Sequence, residues 1–243
     1  MRRLLTIGLL LMTLAAPAAA GVMAASTRVV YPAGEREKSL MLVNTNNYPV
    51  IVQSWVDDGT GNPDTANAPF VVIPSVFRLA PKAVQGIRLL FSQTPLPKDR
   101  ESVFWLNLYE IPPINGSSAD TRRVTFAMNT QMKIFYRPKE LVVTLDEALS
   151  KLVFRLRHDP SHWWIECENP TPLHISLTAL TLQNSAVEKG VERQMDMMLA
   201  PFSKKKYAFS GTIGLAHPQR LQFSYLDDAG VQHVQDAALQ EIN

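Results

Sequence analysis

Cys167 is the only cysteine of the 243-residue chain, and with His158 and His162 nearby it raises the chemistry of a zinc or thiol site. The pattern is incomplete. No second cysteine stands close, and the spacing from the histidines crosses a turn and a strand, so Cys167 is expected to be a small buried hydrophobe. Asp99, Glu101, Asp146 and Glu147 offer carboxylates for acid–base work, but nothing in their spacing sets two of them across a cleft. P-loop, dinucleotide and Gly-x-Ser-x-Gly signatures are missing. The three lysines at 204–206 suit a solvated turn. No catalytic residue, metal or cofactor is expected, and the chain is taken as a non-enzyme.

The stretch that organises the rest is 122–138, RRVTFAMNTQMKIFYRP. Val124, Phe126 and Met128 share one parity while Thr125, Ala127 and Asn129 share the other, the period-two signature of a strand with unlike faces. The polar run NGSSADT at 115–121 suits a loop before it, and Arg137-Pro138 marks its end. Two readings are open on the pattern alone. The oily row faces the strand's own core, or it serves another surface.

Residues 1–20 carry Arg2 and Arg3, an apolar run from Leu4 to Leu14 and small Ala18 and Ala20, which is expected to be a secretory signal. Its removal leaves 223 residues and takes two of the 24 basic ones, so 22 stand against 22 acidic. A neutral chain lends no support to a nucleic-acid or anionic-membrane partner. No later run approaches the roughly 18 apolar residues that span a bilayer, so no membrane insertion is expected. One thiol allows no internal disulfide, and stability must come from core burial.

From Ser26 onward short apolar runs alternate with turn residues, 17 prolines punctuate the chain and no 3.6-residue period persists, an all-β signature. Strands are expected at 27–32, 39–44, 49–58, 70–74, 75–79, 86–91, 101–113 and 122–136. A second set follows, with 141–148 as hinge and first strand, then 151–158, 163–169 and 174–184. After a polar loop at 184–194, strands around 195–199, 205–209, 220–226 and 231–234 finish it. Two β-sandwiches, 21–140 and 141–243, fit better than one continuous barrel.

PKDRESVFWLNLYEIPP at 97–113, followed by the alternating strand and QMKIFYRP at 131–138, resembles the periplasmic pilus (fimbrial) chaperones of the chaperone-usher pathway. TRVVYP (27–32), QSWVDD (53–58), PSVFRLAP (74–81), ENPTP (168–172) and YLDDAG (225–230) occur in the family's order and carry the resemblance across essentially the whole mature chain. It implies two immunoglobulin-like domains in an L-shaped arrangement, the first binding pilins, with a cleft between them. It also implies a protein that holds pilus subunits lacking their final strand.

The resemblance assigns roles. Val124, Phe126 and Met128 would be the donor-strand hydrophobic residues on an exposed edge, each contributing about 1.5 to 3 kcal/mol before association costs. Left naked, such an edge templates aggregation unless it meets a partner or pairs with itself. Arg28 and Lys133 match the pair that anchors the subunit's C-terminal carboxylate through charge-assisted hydrogen bonds. Parity puts Lys133 on the face opposite Phe126 unless a bulge intervenes. Glu101, Arg137 and Asp228 match a charge network across the domain joint, whose expected role is to specify one geometry. The bland alternative for each charge is a solvated surface position. The short loop at about 114–121 resembles the branch serving assembled pili, and the single cysteine excludes the second-domain disulfide of many members.

The expectation is therefore a periplasmic chaperone that binds and folds pilus subunits by donor-strand complementation and delivers them to an outer-membrane usher for fimbria assembly. A self-capping homodimer is considered for its free form. The rivals are a secreted β-sandwich binding module or pilin-like subunit, which should be one domain with a strand missing, and an exported hydrolase, whose titratable groups should converge in a pocket.

Overall fold

A computed structural model describes residues 21–65, 67–113, 126–183, 188–211 and 220–241. The expected signal, Val124 and the loop at 114–121 lie outside the described residues.

Alternating polarity produces β1 (Val22–Ala24), β2 (Arg28–Pro32), β3 (Glu37–Asn44), β4 (Val50–Asp57), β5 (Phe70–Ile73), β6 (Val76–Leu79), β7 (Val84–Phe91), β8 (Ser102–Ile111) and β9 (Met128–Arg137). In β3, for example, Leu40 and Leu42 turn inward while Ser39 and Met41 turn out, the period of a strand with one buried face. These strands form two sheets, ordered β1-β3-β7-β5 and β2-β9-β8-β4-β6. Their inner faces share one core, with Tyr31, Leu42, Ile87, Leu89, Leu106 and Ile134 essentially inaccessible. That is the layered solution a one-sided sheet requires.

The second half contains α1 (Leu145–Ser150), β10 (Val153–His158), β11 (Trp163–Asn169), β12 (Ile175–Gln183), β13 (Glu188–Gly190), β14 (Met198–Leu199), β15 (Ser203–Ala208), β16 (Arg220–Leu226), β17 (Gln232–Ala237) and β18 (Leu239–Glu241). Its sheets run β15-β11-β10-β18 and β13-β12-β16-β17, with β14 added to β12. A separate core gathers Phe154, Ile165, Leu173, Tyr207, Leu221 and Phe223. The chain is all-β apart from short helical turns and builds two immunoglobulin-like sandwiches. Cys167 is fully buried in the second core, where desolvation pushes its thiol well above the ordinary cysteine value.

Three local expectations are corrected. Residues 141–148 do not form a strand: Thr144 Oγ1 accepts from the Glu147 amide and Glu147 Oε2 accepts from the Thr144 amide, a capping box that starts α1. Lys204 to Lys206 lie in β15, not a turn, where Lys204 meets Glu168 and Lys206 lies over the Trp164 ring. The polar stretch at 184–194 contains β13.

Candidate functional site

β8 pairs with β9 along its whole length, from Glu110 opposite Met128 to Ser102 opposite Tyr136, without a break in register. On its other flank β9 pairs with β2, in parallel, only from Lys133 onward. Among the described residues, the half from Met128 to Met132 therefore has an open flank, and the half from Lys133 to Arg137 is internal. Among the described residues, the expected edge strand is thus an edge over its first half only, and β9 begins at Met128.

Met132 and Ile134 are buried in the first core, and the same row continues outside it through Thr130 and Met128, 46% exposed, to Phe126, 82% exposed and just ahead of β9. Side chains of one parity share one face of a strand, so Phe126 and Met128 extend an oily ridge past the end of their own sandwich. The opposite face is held by amides. Asn107 Nδ2 donates to Asp57 Oδ2 at 2.8 Å, and Asn107 Oδ1 accepts from Asn129 Nδ2 and Gln131 Nε2, both at 2.9 Å. A slip of one residue would break this array and bury the amides in the core, so the array pins the register of the ridge.

Arg28 and Lys133 are direct register partners on β2 and β9 and lie on the face turned away from the first core. Arg28 Nη1 donates to Ser176 Oγ at 3.0 Å and to the Leu226 carbonyl at 3.4 Å, both in the second sandwich. Its guanidinium carbon lies 5.9 Å from the Phe135 ring centroid. Arg28 is 8% exposed, and among the described residues its buried Nε has no hydrogen-bond partner. Leaving a buried donor unsatisfied costs about 1 to 3 kcal/mol. Burial lowers the Arg28 pKa from its ordinary value, partly offset by Asp228 and Asp227. Lys133 Nζ donates to Asp196 Oδ1 at 2.8 Å. With Ser176 and Leu226 these side chains border a cleft of about 210 Å³ between the sandwiches. Register is continuous from Met128 to Lys133, with no bulge, so the two cations, on neighbouring strands, and Met128 occupy opposite faces of one sheet.

Glu101, Arg137 and Asp228 come together. Arg137 Nε donates to Glu101 Oε1 at 2.7 Å, and its Nη1 and Nη2 donate to the two carboxylate oxygens of Asp228 at 2.7 and 3.0 Å. Burial works against the guanidinium's charge, but Asp228 and Glu101 outweigh it and raise the Arg137 pKa above its ordinary value. The Glu101 side chain is 1% exposed. Its Oε2 accepts from the His174 amide at 2.8 Å, and its own amide donates to the Pro172 carbonyl at 2.9 Å. The joint is thus bridged by side chains and by backbone.

Asp227 shapes the turn that presents Asp228. Its carboxylate faces His233 Nε2 at 2.8 Å and accepts from the amides of Ala229 and Val231 at 2.9 and 2.8 Å. The His233 contact, with these amides, holds the Asp227 pKa below the ordinary aspartate value. A depressed carboxylate contributes stability that is present above its unfolded pKa of about 3.9 and lost as pH falls through the folded value. Acid unfolding followed by fluorescence should therefore be less steep in Asp227→Asn than in the parent below that pH. Identical acid limbs would contradict the assignment.

Four participants escaped sequence reasoning: His174, Asp196, Asn107 and Gln131. Asn107, His174 and Asp196 each stand between apolar residues in the sequence, and only the fold brings each of the four to its partner. The larger cavity, about 660 Å³ between Phe91, Leu96, Tyr136 and Pro138, holds none of the expected site residues. Among the described residues, no cluster of His, Cys, Asp and Glu could hold a metal ion.

Two immunoglobulin-like sandwiches joined by a buried charge bridge, with a basic cleft between them, define a two-domain all-β binding protein. Residues 21–142 match the model of the pili and flagellar-assembly chaperone PapD N-terminal domain, and residues 147–237 match that of the pili assembly chaperone PapD C-terminal domain. The chain is 33% identical over 216 residues to the probable fimbrial chaperone YadV of Escherichia coli strain K12, covering 87% of each chain. It superposes on the CupB2 chaperone of Pseudomonas aeruginosa with a TM-score of 0.74 at 32% identity, covering 90% of this chain and 100% of that one. A structure of the Salmonella enterica SafA pilin in complex with the SafB chaperone matches with a TM-score of 0.73 at 25% identity, covering 90% and 96%. The chain belongs to the pili assembly chaperone family.

Proposed function

We propose that this chaperone works in the periplasm, completes pilus subunits by donor-strand complementation through the open half of β9, and delivers them to an outer-membrane usher. The observation that carries this reading is the ridge of Phe126 and Met128 beside an unpaired flank, on the strand that ends in the cationic cleft. An extended segment added to that flank satisfies its free backbone groups, and the ridge fills the subunit's groove. Val124 extends the ridge in this reading. Arg28 and Lys133 receive the subunit's terminal carboxylate and set the register, and Glu101, Arg137 and Asp228 hold the angle of the cleft. The domains divide at about residue 140. Binding and positioning account for this role without a catalytic step. The same flank on two copies suits self-capping of the free protein as a homodimer.

Phe126→Asp tests the reading. Losing a buried phenyl and burying a charge should weaken subunit capture by about 30-fold or more, measured by pull-down after co-expression with a candidate pilin. At 82% exposure the substitution should leave the thermal midpoint of the free chaperone unchanged. Undiminished capture would contradict the reading.

A further inference from the structure

We propose that Asp196 is a resident counter-ion that occupies Lys133 while the cleft is empty, and that an incoming subunit's carboxylate must displace it. This rests on Lys133 being the carboxylate anchor. Among the described residues, the charged ones bordering the cleft are Arg28, Lys133, Arg193 and Asp196, three cations and one anion. That one anion is bonded to the lysine: Lys133 Nζ to Asp196 Oδ1 is 2.8 Å. Asp196 belongs to the second sandwich, and its position is fixed from behind. The Met198 amide donates to Asp196 Oδ1 at 3.1 Å, while Lys205 Nζ donates to the Asp196 carbonyl at 2.6 Å and stands 3.9 Å from Oδ2. Its carboxylate therefore already holds the place of the group that Lys133 would receive.

The consequence is selectivity. A tethered carboxylate competes at an effective concentration on the order of millimolar or more, so dissolved carboxylates at lower concentration do not fill the cleft. A terminal carboxylate delivered by a strand that is pairing with β9 is itself tethered, and it competes on equal terms. With half its side chain in solvent, Asp196 has room to turn away once Lys133 changes partner. Asp196 is thus a positioning residue that sets which carboxylates reach the anchor.

The test uses a synthetic peptide of alternating valine and threonine with a free C-terminal carboxylate, the same peptide amidated, and the full-length chaperone. Asp196→Asn keeps an oxygen for the Met198 amide and removes the charge. It should bind the free-acid peptide about fivefold more tightly than the parent, equivalent to ~1 kcal/mol, with no change for the amide. A general loosening of the 193–198 segment would shift both peptides together, so the difference between them separates the proposal from a structural effect. If the parent prefers the free acid but Asp196→Asn gains nothing, the counter-ion proposal is overturned and the anchor stands. If the parent binds both peptides equally, or neither, the anchor reading falls and the proposal falls with it.

Discussion

Lys133→Ala is expected to abolish co-purification of a pilus subunit while the chaperone itself stays folded. A charge-assisted hydrogen bond contributes about 1.5 to 3 kcal/mol, so its loss costs about tenfold to 150-fold in affinity. Lys133 also sets the end point of the added strand, so its removal loosens the pairing of the whole segment. The substitution is benign for the free protein, because the side chain is 27% exposed and its ion-pair partner, Asp196, is half exposed. Such a pair contributes little to stability. Arg28→Ala should have the same effect on capture through a second route. It removes the buried guanidinium with its free Nε, and it also deletes the bonds to Ser176 and Leu226 that tie the sandwiches together. Arg28→Lys then separates the two contributions: it keeps the charge and loses the fork, so it should recover only part of the binding. Normal recovery of a subunit with both alanine variants, each checked by circular dichroism, would remove the anchor from the account.

Arg137→Ala is the second large effect, and it concerns stability. Removing the guanidinium leaves the Glu101 carboxylate, 1% exposed, with the His174 and backbone contacts but without its cation. Breaking one partner of a buried pair costs about 3 to 5 kcal/mol. The contact with Asp228, 48% exposed, adds at most about 1 kcal/mol. The thermal midpoint should fall by several degrees, and the two sandwiches should lose their fixed angle. Glu101→Gln in the same chain should restore much of the loss, because the orphaned charge is then gone while an acceptor for the His174 amide remains. A double variant as unstable as Arg137→Ala alone would show that the buried charge is not what matters.

The long strands were legible because five or more alternating residues carry a period, as in β3 and β4. β1, β13 and β18 span three residues each, too few for a period to appear. Leu141, Val142 and Val143 are apolar, as a strand would be, but the capping box of Thr144 and Glu147 starts a helix there. Parity set Lys133 apart from the row of Met128, and the unbroken pairing of β9 with β8 keeps that separation. What alternation could not reveal is whether a strand's flank is empty, since that depends on where β2 stops pairing. The resemblance to pilus chaperones brought Glu101, Arg137 and Asp228 to attention. Asp196 and His174 were beyond it, because their partners lie 63 and 73 residues away and only the packing of one sandwich on the other introduces them.

The most direct measurement is amide hydrogen exchange across Met128 to Met132, with the chaperone dilute enough to be monomeric, alone and then bound to a subunit. The outward-facing amides of that half-strand should exchange rapidly in the free protein and become protected on binding, while those paired with β8 are slow in both states. Rapid exchange that persists in the bound state would contradict the claim that this strand completes the subunit's sheet.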